Sequence, residues 1–234
     1  IGAMRQEFEH SRQVLAETAS KLSAQRHARA ADLAATVNLE LVDLAMDKVR
    51  FEIKLNIDHQ SDGLPQPDGQ QAAYNNTGID RVEFLAATNP GEPAKALERI
   101  ASTGELSRFT LAVKTALAQA DQVPVLIFDE IDIGVGGRSG DVIGRKLASL
   151  ASSHQVICVT HLPQIACYAK HHFTVNKSTD GGRTAARLDK IEAECRVKEL
   201  ALMLSGDASS TVSEAGAREL LERAGRFNAT LKGS

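Results

Sequence analysis

Residues 4–48 contain no proline and no glycine, and most of them are strong helix formers. Within this stretch Phe8, Leu15 and Leu22 recur every seven residues, and after a break near Arg26 apolar residues continue at spacings of three and four. A single helix of this length would reach roughly 65 Å, which is more than a globular core of this size needs. No other part of the sequence has a matching length and pattern. We therefore predict a coiled-coil arm whose partner is another chain or a segment outside this sequence.

The composition indicates a soluble chain with one core in addition to the arm. Of its 234 residues, 43% are hydrophobic and 24% are charged. The apolar runs are too short to span a bilayer, so no membrane association is expected. The three cysteines show no C-x-x-C pairing, which indicates neither a disulfide framework nor a zinc site and favours the cytoplasm. The formal net charge of −3 argues against bulk electrostatic binding of nucleic acid, so any contact with DNA must be local.

The remainder of the chain alternates between strand and helix patterns. Residues 51–57 alternate apolar and polar side chains and predict a half-exposed antiparallel strand that pairs with residues 81–87. The polar segment 58–78 between them predicts a hairpin loop or mobile segment. Apolar runs at 125–128 and 156–160 predict two fully buried strands, each preceded by a helix. Together these patterns predict an α/β fold with a mostly parallel sheet flanked by helices and with antiparallel hairpins at its edges.

The strongest local signal is a pair of adjacent carboxylates, Asp129 and Glu130, directly after the apolar run 125–128. Ligand sites in open α/β sheets lie at the carboxyl edge of the strands. Two acids placed there cost free energy unless a cation or a polarised water uses them. In a nucleotide hydrolase Asp129 would hold Mg²⁺ through water, and Glu130 would polarise the attacking water. A strand that runs by chance into an acidic turn explains these two residues equally well when they are taken alone.

Two further segments fit a nucleotide site. Small residues, among them Ser102 and Thr103, precede a predicted helix, and the backbone N–H groups at such a turn attract anions. A plain helix cap is the alternative interpretation of that segment. His161 follows the second apolar strand, where an imidazole could hydrogen-bond a phosphate or the attacking water, although a lone histidine there is commonly structural. The order of these segments along the chain is difficult to obtain by accident.

This order of segments resembles the C-terminal lobe of ABC-type ATPase heads, the group that includes the SMC proteins. The words GELSR, LIFDEID and VTHLPQIA carry the resemblance, which spans residues 78–206. It implies that residues 4–48 are the returning helix of an antiparallel coiled coil and that residues 49–228 form the C-terminal lobe of an ATPase head. It also implies ATP hydrolysis with Mg²⁺ in DNA double-strand-break repair and recombination.

The resemblance also implies residue roles. The Walker B pair would be Asp129 and Glu130, and the switch histidine would be His161. The ABC signature, which caps ATP bound to the opposite head of a dimer, would comprise Ser102, Thr103, Gly104 and Glu105. The D-loop, which crosses the dimer interface, would contain Asp132, Gly134, Gly136 and Gly137. Thr103 departs from the family pattern, in which glycine is common, because a β-branched side chain resists positive φ.

The sequence lacks the phosphate-binding P-loop, since it contains no Gly-Lys dipeptide. In the family this loop lies in an N-terminal lobe ahead of the coiled coil. The resemblance therefore implies as partners the N-terminal head lobe and the second coiled-coil helix of the same protein, a second copy in a homodimer formed through the heads or the coiled coil, and DNA. The fragment alone is expected to be inactive, and the protein to be cytoplasmic and nucleoid-associated.

Two alternatives stay open. The chain could be a head lobe of another SMC- or ABC-type ATPase associated with DNA, including a lobe without a catalytic role. It could also be a dinucleotide-binding enzyme, because Gly134, Gly136 and Gly140 follow a strand and open a helix. Their spacing misses G-x-G-x-x-G, and the acidic pair would place like charge beside a pyrophosphate.

Overall fold

A computed structural model of the chain describes residues 2–89, 91–97, 103–180, 183–207 and 210–231, without the side chains of residues 178–180, 183 and 184. The fold divides into two compact units. The first comprises residues 1–42 and 46–100, and the second comprises residues 43–45 and 101–234. The proposed division into an arm at 4–48 and a lobe at 49–228 stays a prediction.

The first unit combines one long helix with antiparallel strands. The elements are α1 (Gly2–Asp43), β1 (Arg50–Ile57), β2 (His59–Pro65), β3 (Gln71–Ala72), β4 (Asp80–Ala87) and β5 (Lys95–Ala96). The predicted long helix is confirmed, but it ends at Asp43, earlier than expected, and Ala45, two residues further on, has a φ of 59°. The predicted pairing of β1 with β4 is also confirmed, in an antiparallel register from Arg50 with Ala87 to Ile57 with Asp80.

The β2–β3 hairpin is packed against α1. Leu64 and Ala72 of this hairpin are fully buried in a cluster with Ala16 and Ala19 of α1. The guanidinium of Arg12 donates hydrogen bonds to the Gly63 carbonyl and, at 2.6 Å, to Gln71 Oε1. The segment predicted as a hairpin loop or mobile segment is therefore a hairpin held by apolar contacts that its polar composition does not reveal.

Asp80 connects the start of β4 to α1. Its side chain is buried and accepts hydrogen bonds from Ser23 Oγ at 2.5 Å and from Arg26 Nη1 at 2.9 Å. The second terminal nitrogen of Arg26 donates to the Thr77 carbonyl at 2.8 Å. These contacts connect α1 to the start of β4 at the place where the seven-residue series breaks near Arg26.

In its described residues, the second unit contains three helices around one parallel pair of strands, and then a hairpin and two helices. The elements are α2 (Thr103–Ala116), β6 (Val125–Phe128), α3 (Gly137–Leu150), β7 (Gln155–Cys158), α4 (Pro163–Ala166), β8 (His172–Asp180), β9 (Arg183–Ile191), α5 (Ala193–Ser205) and α6 (Thr211–Leu231). Strand β6 pairs in parallel with β7, and β8 pairs with β9 as an antiparallel hairpin. None of the helices in the described part of the chain has the length and apolarity needed to cross a membrane.

The mixed helix and strand class is confirmed, with one difference in the sheets. Among the described residues, parallel pairing is confined to β6 and β7, and the other strand pairs are antiparallel. The expectation that these two strands are fully buried is wrong for this chain. Leu126 and Phe128 are buried, but Ile127 on the opposite face is 69% exposed, and Ile157 is exposed beside it. The described residues therefore cover one face of this parallel pair and leave the other open.

Candidate active site

The acidic pair lies where β6 ends. Asp129 and Glu130 are both exposed, and the Glu130 backbone N–H donates to Asp129 Oδ1 at 2.9 Å. Glu130 has a φ of 56°, in the left-handed region that non-glycine residues seldom adopt. Such backbone strain costs on the order of 1–3 kcal/mol and persists where surrounding contacts impose it, often at functional sites. The conformation turns the chain sharply away from the strand direction directly at the two carboxylates.

Helix α2 imposes this conformation through hydrogen bonds to the backbone of the acidic loop. Ser107 Oγ donates to the Asp129 carbonyl at 2.7 Å. Arg108 Nη1 donates to the Ile133 carbonyl at 2.8 Å and to the Ile131 carbonyl at 3.3 Å. Arg108 is buried, and burial lowers the pKa of its guanidinium, against an opposing effect of Glu105. Helix α2, which begins within the predicted signature, therefore holds the acidic loop after β6, the predicted Walker B strand.

Gly104 permits this close approach. A Cβ atom at this position would lie 3.0 Å from the Glu130 carbonyl oxygen and 3.1 Å from Ile133 Cβ. Of the other signature candidates, Thr103 and Glu105 lie in the first turn of α2, whereas Ser102 lies outside the described residues. The structure thus brings the start of α2 against the acidic pair, as expected for parts of one site.

Asp132 connects the end of β6 to the end of β7. Its carboxylate is 3% exposed, and a single oxygen, Oδ2, lies 2.5 Å from Thr160 Oγ1, 2.8 Å from the His161 backbone nitrogen and 3.0 Å from His161 Nδ1. Thr160 Oγ1 in turn accepts a hydrogen bond from the Leu162 N–H at 3.0 Å. The carboxylate of Asp132 is engaged within its own chain, and the predicted role of Asp132 in a D-loop that crosses a dimer interface stays a prediction.

The glycines after Asp132 shape the turn into α3. Gly134 has a φ of 72°, and Gly136 is the N-cap residue of α3, with no side chain capping the helix. Gly137 begins the helix. Gly140 lies one turn further on, where a Cβ would be 3.2 Å from Leu162 Cδ1. Close packing of α3 against the segment after His161 therefore accounts for Gly140 without a bound dinucleotide.

The residues present suit a magnesium ion only with the help of other ligands. Among the described residues, no group of three or more His, Cys, Asp and Glu side chains is arranged to hold a metal ion. Mg²⁺ commonly takes one or two carboxylates and completes its shell with water and substrate phosphates. Asp129, exposed at the carboxyl edge of β6, fits that partial role.

The carboxylates at the carboxyl edge of β6 contribute to the raised pKa of the neighbouring thiol of Cys158. Burial, followed by the nearby Asp132 and Asp129 carboxylates, raises the pKa of Cys158 to about 12. Burial likewise raises the pKa of Cys167 to about 11. Both thiols are thus far from ionisation at neutral pH, and Cys158 reports negative charge beside the end of β6.

Thiol modification at pH 8 is expected to be confined at first to Cys195, which is exposed. The thiolate is the reactive form, and at pH 8 its fraction at Cys158 is on the order of 10⁻⁴. Titration with a chromogenic disulfide reagent should therefore show one fast thiol per folded chain, and Cys195→Ser should abolish that phase. Rapid reaction of a second thiol in the Cys195→Ser variant would contradict the raised pKa values of Cys158 and Cys167.

The sequence did not predict three residues whose hydrogen bonds connect the parts of the candidate site: Ser107, Arg108 and Thr160. A signal for Arg108 was present, because it shares one helical face with Gly104, Leu111 and Ala112, all buried. An arginine on an apolar helix face needs buried acceptors, which indicates a structural anchor. Ser107 and Thr160 carried no comparable signal, since their acceptors lie more than twenty residues away in sequence.

Comparison with known proteins places these features in context. No family model matches the sequence. The chain is 43% identical over 206 residues to the DNA repair protein RecN of Streptomyces coelicolor, covering 88% of this chain and 36% of that protein. It is 35% identical over 232 residues to the DNA repair protein RecN of Bacillus subtilis, covering 98% of this chain and 40% of that protein. The chain thus spans less than half the length of these curated relatives.

Solved structures with some likeness are SMC heads. A Smc head domain with a coiled coil and joint from Pyrococcus yayanosii matches with a TM-score of 0.48 at 18% identity, covering 78% of this chain and 30% of that chain. A Smc head domain with an extended coiled coil, bound to the C-terminal domain of ScpA from Pyrococcus furiosus, matches with a TM-score of 0.45 at 17% identity, covering 70% of this chain and 35% of that chain.

Proposed function

We propose that this chain supplies half of an ATP-hydrolysing head in a longer protein. The reason is that it is related along most of its length to the C-terminal portion of RecN DNA repair proteins. The observation that carries the proposal is the convergence of three segments far apart in sequence. The start of α2, the acidic turn after β6 and the histidine turn after β7 are joined by the hydrogen bonds of Ser107, Arg108 and Asp132. A nucleotide hydrolase needs an acid pair, a polar group and a phosphate-binding turn at one place.

Each segment has a distinct role in this proposal. Asp129 holds Mg²⁺ through water, and Glu130 accepts a proton from the attacking water as a general base. His161 provides a further polar contact to the reacting groups. The bound Mg²⁺ and ATP supply charge neutralisation and the phosphoryl group that is transferred to water. The signature residues Ser102, Thr103, Gly104 and Glu105 face ATP held by a second head, and the D-loop glycines Gly134, Gly136 and Gly137 lie at the interface between the heads.

The site is composite in this proposal, and the remaining parts come from outside the chain. A P-loop in an N-terminal lobe of the same protein holds the nucleotide, and the exposed face of β6 and β7 around Ile127 accepts that lobe. The stripe of exposed apolar residues Phe8, Leu15 and Leu22 on α1 pairs with a second helix in an antiparallel coiled coil. The names of the relatives support a role in DNA repair. In this proposal the protein acts at the nucleoid in the cytoplasm. Because the chain has a net charge of −3, its contact with DNA is local.

Glu130→Gln in the complete protein is expected to lower kcat for Mg²⁺-dependent ATP hydrolysis by at least about 100-fold, since glutamine cannot accept the proton from water. ATP binding, measured with a fluorescent nucleotide, should persist, because the variant keeps the shape of the side chain and one of its two acceptor oxygens. Glu222→Gln, an exposed acid on α6, is the matched control and should leave turnover unchanged. Equal turnover of Glu130→Gln and the wild type would remove the catalytic assignment.

The 234-residue chain alone should hydrolyse ATP negligibly, because the P-loop is supplied by the rest of the protein in this proposal. The same assay with the isolated chain measures this directly. Robust turnover that depends on Mg²⁺ and is lost in Glu130→Gln would contradict the composite site while keeping Glu130 as the base.

A further inference from the structure

We infer that Asp132 is the positioning residue of His161: its carboxylate fixes the ring so that Nδ1 carries a proton and Nε2 is the atom presented to the reaction. The inference rests on the proposed function for its catalytic meaning, but the geometry on which it stands belongs to this chain alone. It gives Asp132 a role inside its own head, in place of the D-loop role at a dimer interface.

The contacts of one oxygen atom carry the inference. Asp132 Oδ2 lies within 3.0 Å of the Thr160 hydroxyl, the His161 backbone nitrogen and His161 Nδ1. The first two are donors, so this oxygen is the acceptor of the group. A neutral imidazole meets a carboxylate oxygen through the ring nitrogen that bears hydrogen, which here is Nδ1. The same oxygen therefore holds both the main chain and the ring of His161.

Asp132 is itself held rigidly. The carbonyls on either side of it, those of Ile131 and Ile133, both accept hydrogen bonds from the buried Arg108. Ile131 is fully buried, and the Asp132 carboxylate is almost without contact with solvent. A charged carboxylate buried in this way is costly unless donors compensate it, and the Thr160 and His161 donors provide that compensation.

The contact with Asp132 determines which nitrogen of the exposed His161 ring is available to other groups. The His161 side chain is 71% exposed although its Nδ1 edge faces the buried carboxylate. With the proton fixed on Nδ1, Nε2 of the neutral ring is a hydrogen-bond acceptor, and in the protonated ring it is a donor. In both states a single atom, Nε2, is the one aimed at water or phosphate, and its position is set by Asp132. Pairs in which a carboxylate fixes the tautomer of a working histidine recur in metal sites and hydrolases.

The first test reads the tautomer without any nucleotide. In the ¹⁵N-histidine-labelled 234-residue chain, at a pH where the ring is neutral, the ¹⁵N shifts of His161 should show the Nδ1–H form. His161→Gln identifies the signal among the seven histidines. Asp132→Ala should shift the ring toward the Nε2–H form that free imidazole side chains favour. Thr160→Val removes a different donor from the same oxygen and should keep the wild-type tautomer.

An Nε2–H ring in the wild type would overturn the inference, and so would an unchanged Nδ1–H ring in Asp132→Ala. If Asp132→Ala does not fold, the wild-type tautomer still decides. Asp132→Asn then serves as the second variant, since its amide oxygen can accept the same hydrogen bonds and should retain the Nδ1–H ring.

The second test uses the complete protein. Asp132→Ala should lower kcat for ATP hydrolysis by about 10- to 100-fold with little change in KM, as is common when a positioning partner is removed. Asp132→Asn should recover part of that loss. Combining Asp132→Ala with His161→Ala should cost no more than the larger single effect, because both act through one ring. Additive losses would place Asp132 elsewhere in the mechanism and contradict the inference.

The two tests separate this inference from the proposed function. A wild-type Nδ1–H tautomer that depends on Asp132, found in a protein whose turnover ignores Glu130→Gln, would keep the positioning of His161 and reject the proposed hydrolysis. A catalytic effect of Glu130→Gln together with an Nε2–H ring would do the reverse.

Discussion

Asp80→Ala is expected to lower the free energy of unfolding by about 3–5 kcal/mol, the usual cost of breaking a buried ion pair by removing one partner. Asp80 accepts hydrogen bonds from Ser23 and Arg26, and its side chain is inaccessible to solvent. Truncation leaves the Ser23 hydroxyl and one face of the Arg26 guanidinium without their acceptor. Urea denaturation followed by circular dichroism at 222 nm measures the loss of free energy of unfolding. In hydrogen exchange, the amides of α1 should be less protected in the variant than in the wild type.

Asp32→Ala is the matched control for this prediction. Asp32 is also on α1 and also pairs with an arginine, Arg29, but at 3.4 Å and with both side chains exposed. Exposed pairs of this kind contribute little, so the free energy of unfolding should change by less than about 0.5 kcal/mol. Equal losses for the two variants would show that Asp80 does not hold α1 to its unit. Asp80→Asn, which removes the charge and keeps one acceptor oxygen, should fall between them.

Gly144→Ala is expected to destabilise the second unit by about 3 kcal/mol, the upper part of the range for overpacking a core. Gly144 lies in α3, and a Cβ there would meet Tyr168 Cδ2 at 2.5 Å and the Gln164 carbonyl oxygen at 2.9 Å. The Tyr168 ring cannot move aside easily. Its hydroxyl donates to Asp141 at 2.8 Å, and its ring stands edge-on to Phe227 with the centroids 5.7 Å apart.

Gly225→Ala is the control for this second prediction, because Gly225 is also in a helix interior but has open space at its Cβ position. Alanine favours the helix over glycine by about 0.5–1 kcal/mol, so this variant should raise the midpoint of thermal unfolding. The two glycine substitutions should therefore have opposite signs. Stabilisation by both would mean that α3 and α4 are not packed at Gly144 as described.

Whether a site residue could be predicted from the sequence depends on how far along the chain its partners lie. Asp129, Glu130 and His161 could be selected from the sequence because each follows an apolar strand whose carboxyl end is a common place for a ligand. The contacts of Asp132 could not be predicted from the sequence, because a carboxylate in a glycine-rich turn is equally suited to face a second head or its own chain. Only the contacts with Thr160 and His161, 28 and 29 residues away, show that the carboxylate is engaged within its own chain.

The sequence by itself determined the local features of this protein: the long helix from a run without proline or glycine, the β1–β4 pairing from strict alternation, and the acidic turn after β6. Helical and strand periodicity arise from neighbours within a few residues, so a linear pattern records them. Tertiary structure alone decided that Asp80 pairs with Ser23 and Arg26, that one face of β6 stays open at Ile127, and that Asp132 contacts Thr160 and His161. The contacts of Asp80 and Asp132 depend on which buried polar group meets which partner, and the exposure of Ile127 depends on which elements cover the strand. In all three cases the residues concerned are distant in sequence, where no periodicity connects them.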